Sequence, residues 1–130
     1  MQAGGRMGGA GVSVSRPLHS RLREHAQSIN AATNLVLGDF KCRLLVVEPL
    51  WVTMAERFLI EHFRPVWNSC VDGFGIHDPG GGRRKGEASW WDTLHPGRSW
   101  VAKQRRVKTR ASAEQRVREF LKREPPRGAL

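Results

Sequence analysis

The chain has 130 residues, with 22 Lys and Arg against 12 Asp and Glu, a formal net charge of +10 and an isoelectric point near 11.2. That length suits one domain with a modest core. No stretch of about eighteen apolar residues exists to span a membrane, and the N-terminus lacks the apolar centre of a secretory signal. Cys42 and Cys70 lack the paired spacing of a zinc knuckle or a disulfide framework. A reduced, cytoplasmic protein without a membrane segment is therefore expected. The positive excess is uneven: residues 1–64 carry eight basic and five acidic side chains, and residues 65–130 carry fourteen and seven. Such a field favours a polyanion, nucleic acid foremost, although a solvated basic surface gives the same composition.

In chain order, residues 1–11 are glycine-rich and expected to be mobile. Val12–Val14 suits a very short strand. Ser15 is a candidate cap for a helix entered through Pro17 and running to about Asn30. In that helix Leu18, Leu22, Ala26 and Ile29 recur at helical spacing. Phe40–Glu48 (FKCRLLVVE) alternates and then runs apolar, the pattern of a strand ended by Pro49. A second helix begins near Val52 and ends before Pro65, with Met54, Ala55, Phe58, Leu59 and Phe63 as its stripe. Val66–Val71 is expected as a short strand or turn. Asp72–Gly86 is too glycine-rich for a regular element. Pro96–Gly97 marks a turn, and Ser112 with Gln115 suits a capping box for a terminal helix stopped at Pro125–Pro126. A single strand cannot make a sheet, so its partners lie either in weakly patterned segments or in sequence outside this chain.

Both long helices place hydrophilic groups where their apolar stripes run. His25 lies inside the first stripe with Arg21 one turn earlier on its edge, and Glu56 sits beside Leu59 and Phe63. Singly, each reads first as a satisfied residue at the edge of a core. Together they are candidates for one site, because unpaired polar groups are costly to bury.

RLREH, then a strand, then AERFLIEHFRPVWN resembles the second half of the GIY-YIG nuclease pattern. RPVWNSCVDGFGIHDPGGGR followed by WDTLHPGRSW resembles the tail of a type II restriction endonuclease branch of that superfamily. The resemblance covers roughly residues 17–102 and implies an α+β fold: an incomplete GIY-YIG-like domain with helix, strand and helix around a small sheet. It divides the chain into a flexible N-terminus (1–16), a remaining catalytic core (17–71), a basic, loop-rich DNA-contacting tail (72–111) and a C-terminal helical end (112–130).

The resemblance also implies roles. Glu56 would ligate Mg²⁺, Arg21 would contact a phosphate oxygen, His25 would assist the nucleophile, and Asn68 would hold the site or substrate by hydrogen bonding. Contacts to double-stranded DNA would come from Arg83, Arg84, Lys85, Arg98, Lys103, Arg105 and Arg106, and a homodimer would match a palindromic target. Trp90, Trp91 and Trp100 would either stack on bases or pack beneath the tail. The chain departs from the pattern in one respect. It contains no tyrosine, whereas the family's opening β-hairpin carries two tyrosine motifs. A late start, a truncated gene and a decayed nuclease all account for this. The expected function is Mg²⁺-dependent hydrolysis of DNA phosphodiesters, impaired in this form. The competing readings are a non-catalytic basic nucleic-acid-binding protein or nuclease remnant, and a structural protein on ribosomal RNA.

Overall fold

A computed structural model describes residues 16–78, 85–125 and 127. Among these, the helices are α1 (Arg16–Ala31), α2 (Val52–Phe63), α3 (Val66–Ser69), α4 (Trp90–Leu94) and α5 (Arg110–Arg123), with 3₁₀ turns at Leu37–Asp39, Pro49–Trp51 and Ser99–Lys103. The strand expected at Val12–Val14 and the cap at Ser15 lie outside the described residues, as do Arg83 and Arg84.

Local chemistry explains the helix boundaries. Pro17 occupies the second position of α1, where its missing N–H breaks no intrahelical bond. α2 ends at Arg64, which adopts a left-handed conformation (φ 46°, ψ 57°) ahead of Pro65, since the residue before a proline is disfavoured in the helical region. The Arg64 side chain forms an ion pair with Glu124, at the end of α5. α5 starts two residues earlier than the sequence suggested. Its capping box is formed by Thr109 and Ser112, each side chain bonding the other's backbone N–H. Ser112 is thus the inner partner of the box and Thr109 the cap.

The α+β expectation is corrected. No sheet forms among the described residues, where the β pairing is a single parallel bridge between Glu87 and Arg105. Phe40–Glu48 forms no regular element, and its side chains stand largely in solvent, Leu45 being 61% and Val46 74% exposed. The alternation there has the right period for a strand, but a strand needs neighbouring backbone to satisfy its N–H and C=O groups. No described segment supplies it. The segment expected as strand or turn at Val66–Val71 begins as helix α3. α2 has the amphipathic stripe foreseen for it but buries none of its residues, and Met54 and Phe58 remain exposed.

The core lies instead under the C-terminal half. Ala32, Cys70, Val71 and Trp91 are its buried centre, with Val117 and Phe120 of α5 packed against it. Trp91 and Val71 are completely buried. For Trp91, burial is worth about 2–3 kcal/mol. Two glycines permit the close approaches this packing needs. At Gly97 (φ 149°) a Cβ would overlap the Ala31 carbonyl, and Thr33 N–H donates to Pro96 O at 2.8 Å beside it. At Gly73 (φ 110°) a Cβ would collide with Ser89. Arg116 of α5 donates to Cys70 O at 2.7 Å and lies over the Trp90 ring, fastening α5 to the end of α3. Burial pushes the Cys70 thiol pKa up, with Arg116 partly opposing.

A buried ion pair crosses this core. Arg98 donates to both carboxylate oxygens of Asp92 at 2.7 Å. Its remaining N–H groups reach Gly73 O (2.9 Å), Phe74 O (3.3 Å) and Ile76 O (2.6 Å). The guanidinium lies over Trp91 at 4.6 Å and over Trp100 at 4.8 Å. Asp92 is held in turn by the Ser89 hydroxyl at 2.7 Å.

Two expectations follow. Asp92→Asn leaves a buried cation without its counter-charge and is expected to cost about 3–5 kcal/mol, read as a lowered urea midpoint at unchanged slope. His95 packs against Trp67 and Trp91, and its pKa is lowered by burial, then by Arg110. The folded state therefore favours the neutral ring. This contribution is complete above the ordinary value of 6.5 and is lost as pH falls below it. Urea titrations at descending pH should show that decline, and His95→Gln should reduce its slope.

Candidate active site

Helical geometry brings the first two candidates together. Arg21 and His25 are four residues apart on α1 and share a face. Glu56 comes from α2. Asn68 comes from α3, which turns away immediately after Pro65. All four line one open cavity of about 940 Å³, together with Trp67, Phe74 and the backbone at Gly73 and Gly75. His25, Glu56 and Asn68 also border a second, more apolar cavity of about 900 Å³ whose walls include Leu44–Val47, Val52 and Leu59. The hydrophilic residues that interrupt the apolar stripes of α1 and α2 thus stand at the junction of the two cavities.

Glu56 and the Asn68 side chain have no ionic or hydrogen-bond partner among the described residues, and His25 Nδ1 is buried without one. Several other acidic groups are engaged: Glu61 by Arg57 at 3.0 Å, Glu114 by Arg110 at 2.9 Å, and Glu87 by Arg105 and Lys108. The side chains of Asp39, Glu48 and Asp72, the last also on the cavity wall, are like Glu56 without a partner among the described residues. Burial pushes the His25 pKa down, reinforced by Arg21 and His77, with Glu24 opposing. The ring is held neutral, able to accept a proton. No group of three or more His, Cys, Asp or Glu among the described residues converges as a metal cage. A hard cation of Mg²⁺ type does not require one, since it binds through one or two carboxylates with water and substrate phosphate. Glu56, unpaired and facing the cavity, fits that requirement.

The loop after α3, expected as an irregular part of the DNA-contacting tail, supplies much of the cavity wall. Phe74 stacks on His25 with ring centroids 4.6 Å apart and an interplanar angle of 19°. His77 lies beside Arg21, with Nε2 2.7 Å from Arg21 Nη1 and 3.0 Å from Glu24 Oε2. The phrase GFGIH has no periodicity from which these contacts were legible.

The expected DNA-contacting residues separate into groups. Lys85, Lys103 and Arg106 are exposed and unpaired among the described residues. Arg105 is exposed and carries a long ion pair to Glu87 at 3.3 Å. Arg98 is only 5% exposed, and all its donors are engaged inside the molecule. Its expected place among the DNA-contacting residues is corrected: a guanidinium with no free donor and no open face cannot reach a phosphate. Of the tryptophans, Trp91 is fully buried, and Trp90 lies under Arg116 and Lys108.

The chain matches the family described as the Eco29kI GIY-YIG domain over residues 1–121. No match is found among curated proteins. A match spanning nearly the whole chain agrees with the resemblance carried by RLREH, AERFLIEHFRPVWN and the tryptophan-rich tail, and the chain belongs to the GIY-YIG nuclease superfamily, in its type II restriction endonuclease branch.

Proposed function

We propose that this chain carries the catalytic groups of a restriction-type DNA endonuclease that hydrolyses DNA phosphodiesters with Mg²⁺. The observation that carries the reading is the meeting of Arg21, His25, Glu56 and Asn68 around one cavity, three of them with side-chain hydrogen-bonding capacity left open.

Each residue suits a different demand of the reaction. A phosphodiester is an anion whose charge grows during displacement, so positive groups must face it. Arg21 offers a planar guanidinium that binds phosphate oxygens in bidentate fashion. His25, kept neutral by burial, takes a proton from the attacking water or passes it on. Glu56 is the carboxylate that would hold Mg²⁺, and the ion would supply charge at the scissile phosphate. Asn68 donates and accepts hydrogen bonds at the rim and fixes the substrate relative to the other three. Lys85, Lys103, Arg105 and Arg106 follow the phosphate backbone of the duplex. The protein acts in the cytoplasm, and two copies on a palindromic site are the natural assembly.

The 130-residue chain contains no tyrosine, and within this superfamily's pattern a tyrosine acts on the attacking water. Losing an aligned positioning group removes several powers of ten in rate. The chain alone is therefore expected to bind DNA well and cut it poorly.

Prolonged incubation with supercoiled plasmid and Mg²⁺ is expected to give slow nicking at most. In Glu56→Gln that nicking should fall by at least roughly a hundredfold while salt-sensitive duplex binding persists. Mg²⁺ should also tighten duplex binding by the wild type and not by Glu56→Gln, because only the carboxylate would hold the cation and have its repulsion of phosphate offset. Equal Mg²⁺ responses in the two proteins would remove Glu56 from the metal site. Robust plasmid cleavage by the wild type would overturn the impairment.

A further inference from the structure

Arg21 is held by a neighbour that the catalytic pattern does not include. His77 Nε2 stands 2.7 Å from Arg21 Nη1, and a guanidinium has only donors to offer. For this contact to be a hydrogen bond the imidazole nitrogen accepts and the ring proton sits on Nδ1. A protonated ring would set N–H against N–H at this distance. Glu24 faces both groups from the same side of α1, with Oε2 3.0 Å from His77 Nε2 and 3.9 Å from Arg21 Nη1, so its acceptor-only carboxylate favours the other tautomer and competes with the guanidinium for that nitrogen. Its negative charge faces the guanidinium and favours the orientation in which Nη1 turns toward the loop. The opposite edge of the guanidinium faces Gly75, where a Cβ would lie 3.5 Å from Arg21 Nη2, in ordinary contact. Arg21 otherwise retains a 54% exposed side chain, long and rich in rotamers, which one contact at Nη1 confines.

The loop that carries His77 is itself fixed. Gly73, Phe74 and Ile76 all give their carbonyls to the buried Arg98. The same loop stacks Phe74 on His25. One anchored segment thus contacts both α1 residues that face the cavity.

We propose that His77, as the neutral Nδ1–H tautomer and with Glu24 beside it, is a positioning residue that aims Arg21 at the phosphate of bound DNA. The proposal rests on the reading of Arg21 as a phosphate contact. It predicts that His77 acts through Arg21 and makes no independent contribution.

The test combines spectroscopy with binding. In the ¹⁵N-labelled 130-residue chain at neutral pH, long-range ¹H–¹⁵N imidazole correlations should show His77 protonated at Nδ1 and bare at Nε2. A short fluorescein-labelled DNA duplex without divalent metal then reports binding by anisotropy. His77→Ala should weaken affinity roughly fivefold, the scale of one net hydrogen bond. His77→Gln, whose side-chain oxygen reaches the Nε2 position, should recover most of that loss. The Arg21→Ala/His77→Ala double variant should bind no more weakly than Arg21→Ala alone. An Nε2–H tautomer, or additive losses in the double variant, overturns the positioning role while leaving the phosphate contact intact. If Arg21→Ala binds as tightly as the wild type, the phosphate reading fails and the positioning role fails with it. Should His77→Ala not fold, the tautomer and the Gln variant still decide the matter.

Discussion

The Asp92–Arg98 pair organises the core of the described residues. Burying two charges is expensive unless geometry and hydrogen bonds are complete, and here they are. The five N–H donors of a guanidinium find two carboxylate oxygens and three loop carbonyls, and two indoles cover its faces. The two residues are six apart, within the phrase WDTLHPGR, so a short helix and a turn suffice to bring them together. The three carbonyls belong to a different segment, Gly73–Ile76. A local pair thereby becomes a long-range tie.

That tie reaches the candidate site in two steps. Asp92 and Arg98 fix the loop after α3, and the loop places Phe74 against His25 and His77 against Arg21. Side chains on α1 alone would sample many rotamers, and a solvent-exposed arginine has the most to lose on ordering. Contacts from a segment anchored in the core narrow that range before any ligand arrives. A phosphate binding there meets groups already oriented, which is where affinity and rate are most easily gained. Glu56 is supported differently. It stands on a helix that buries none of its residues, so its position relative to Arg21 and His25 is the least constrained part of the cavity.

What could be read from the sequence divides along the range of the interactions. Arg21 and His25 were legible because a four-residue spacing on a helix is a local rule, and Glu56 stood out because it interrupts a regular apolar stripe. Asn68 was found by resemblance alone, since nothing in VWNS marks its side chain as facing a cavity. The strand at Phe40–Glu48 was misread because alternation states only that a segment would suit a sheet. The missing information is the neighbour, and neighbours are non-local. Arg98 was misassigned for a related reason: in a chain of net charge +10, another arginine near a basic cluster looks like surface. Its burial depends on Asp92, Trp91 and Trp100 closing around it, and His77 was overlooked because it lies in a loop without period.

The distribution of charge pairs sharpens what the net charge could only suggest. On α5 the basic side chains Arg110 and Arg118 are tied to Glu114, and Arg116 is turned onto Trp90 and Cys70 O. Lys108 is likewise directed inward, to Ala88 O and the Trp90 ring. These residues contribute to the total charge but are already engaged. Lys85, Lys103 and Arg106 are not, nor are Arg16, Arg23, Lys41 and Arg43 nearer the N-terminus, and an exposed cation without an anion nearby attracts a polyanion most effectively because no ion pair must be broken first. In the proposed reading an approaching duplex would meet open cations of the tail, while the groups suited to its chemistry line the cavity between α1, α2 and α3. Recruitment by open cations and reaction at polar groups held ready are separate tasks, and in that reading different side chains would serve each.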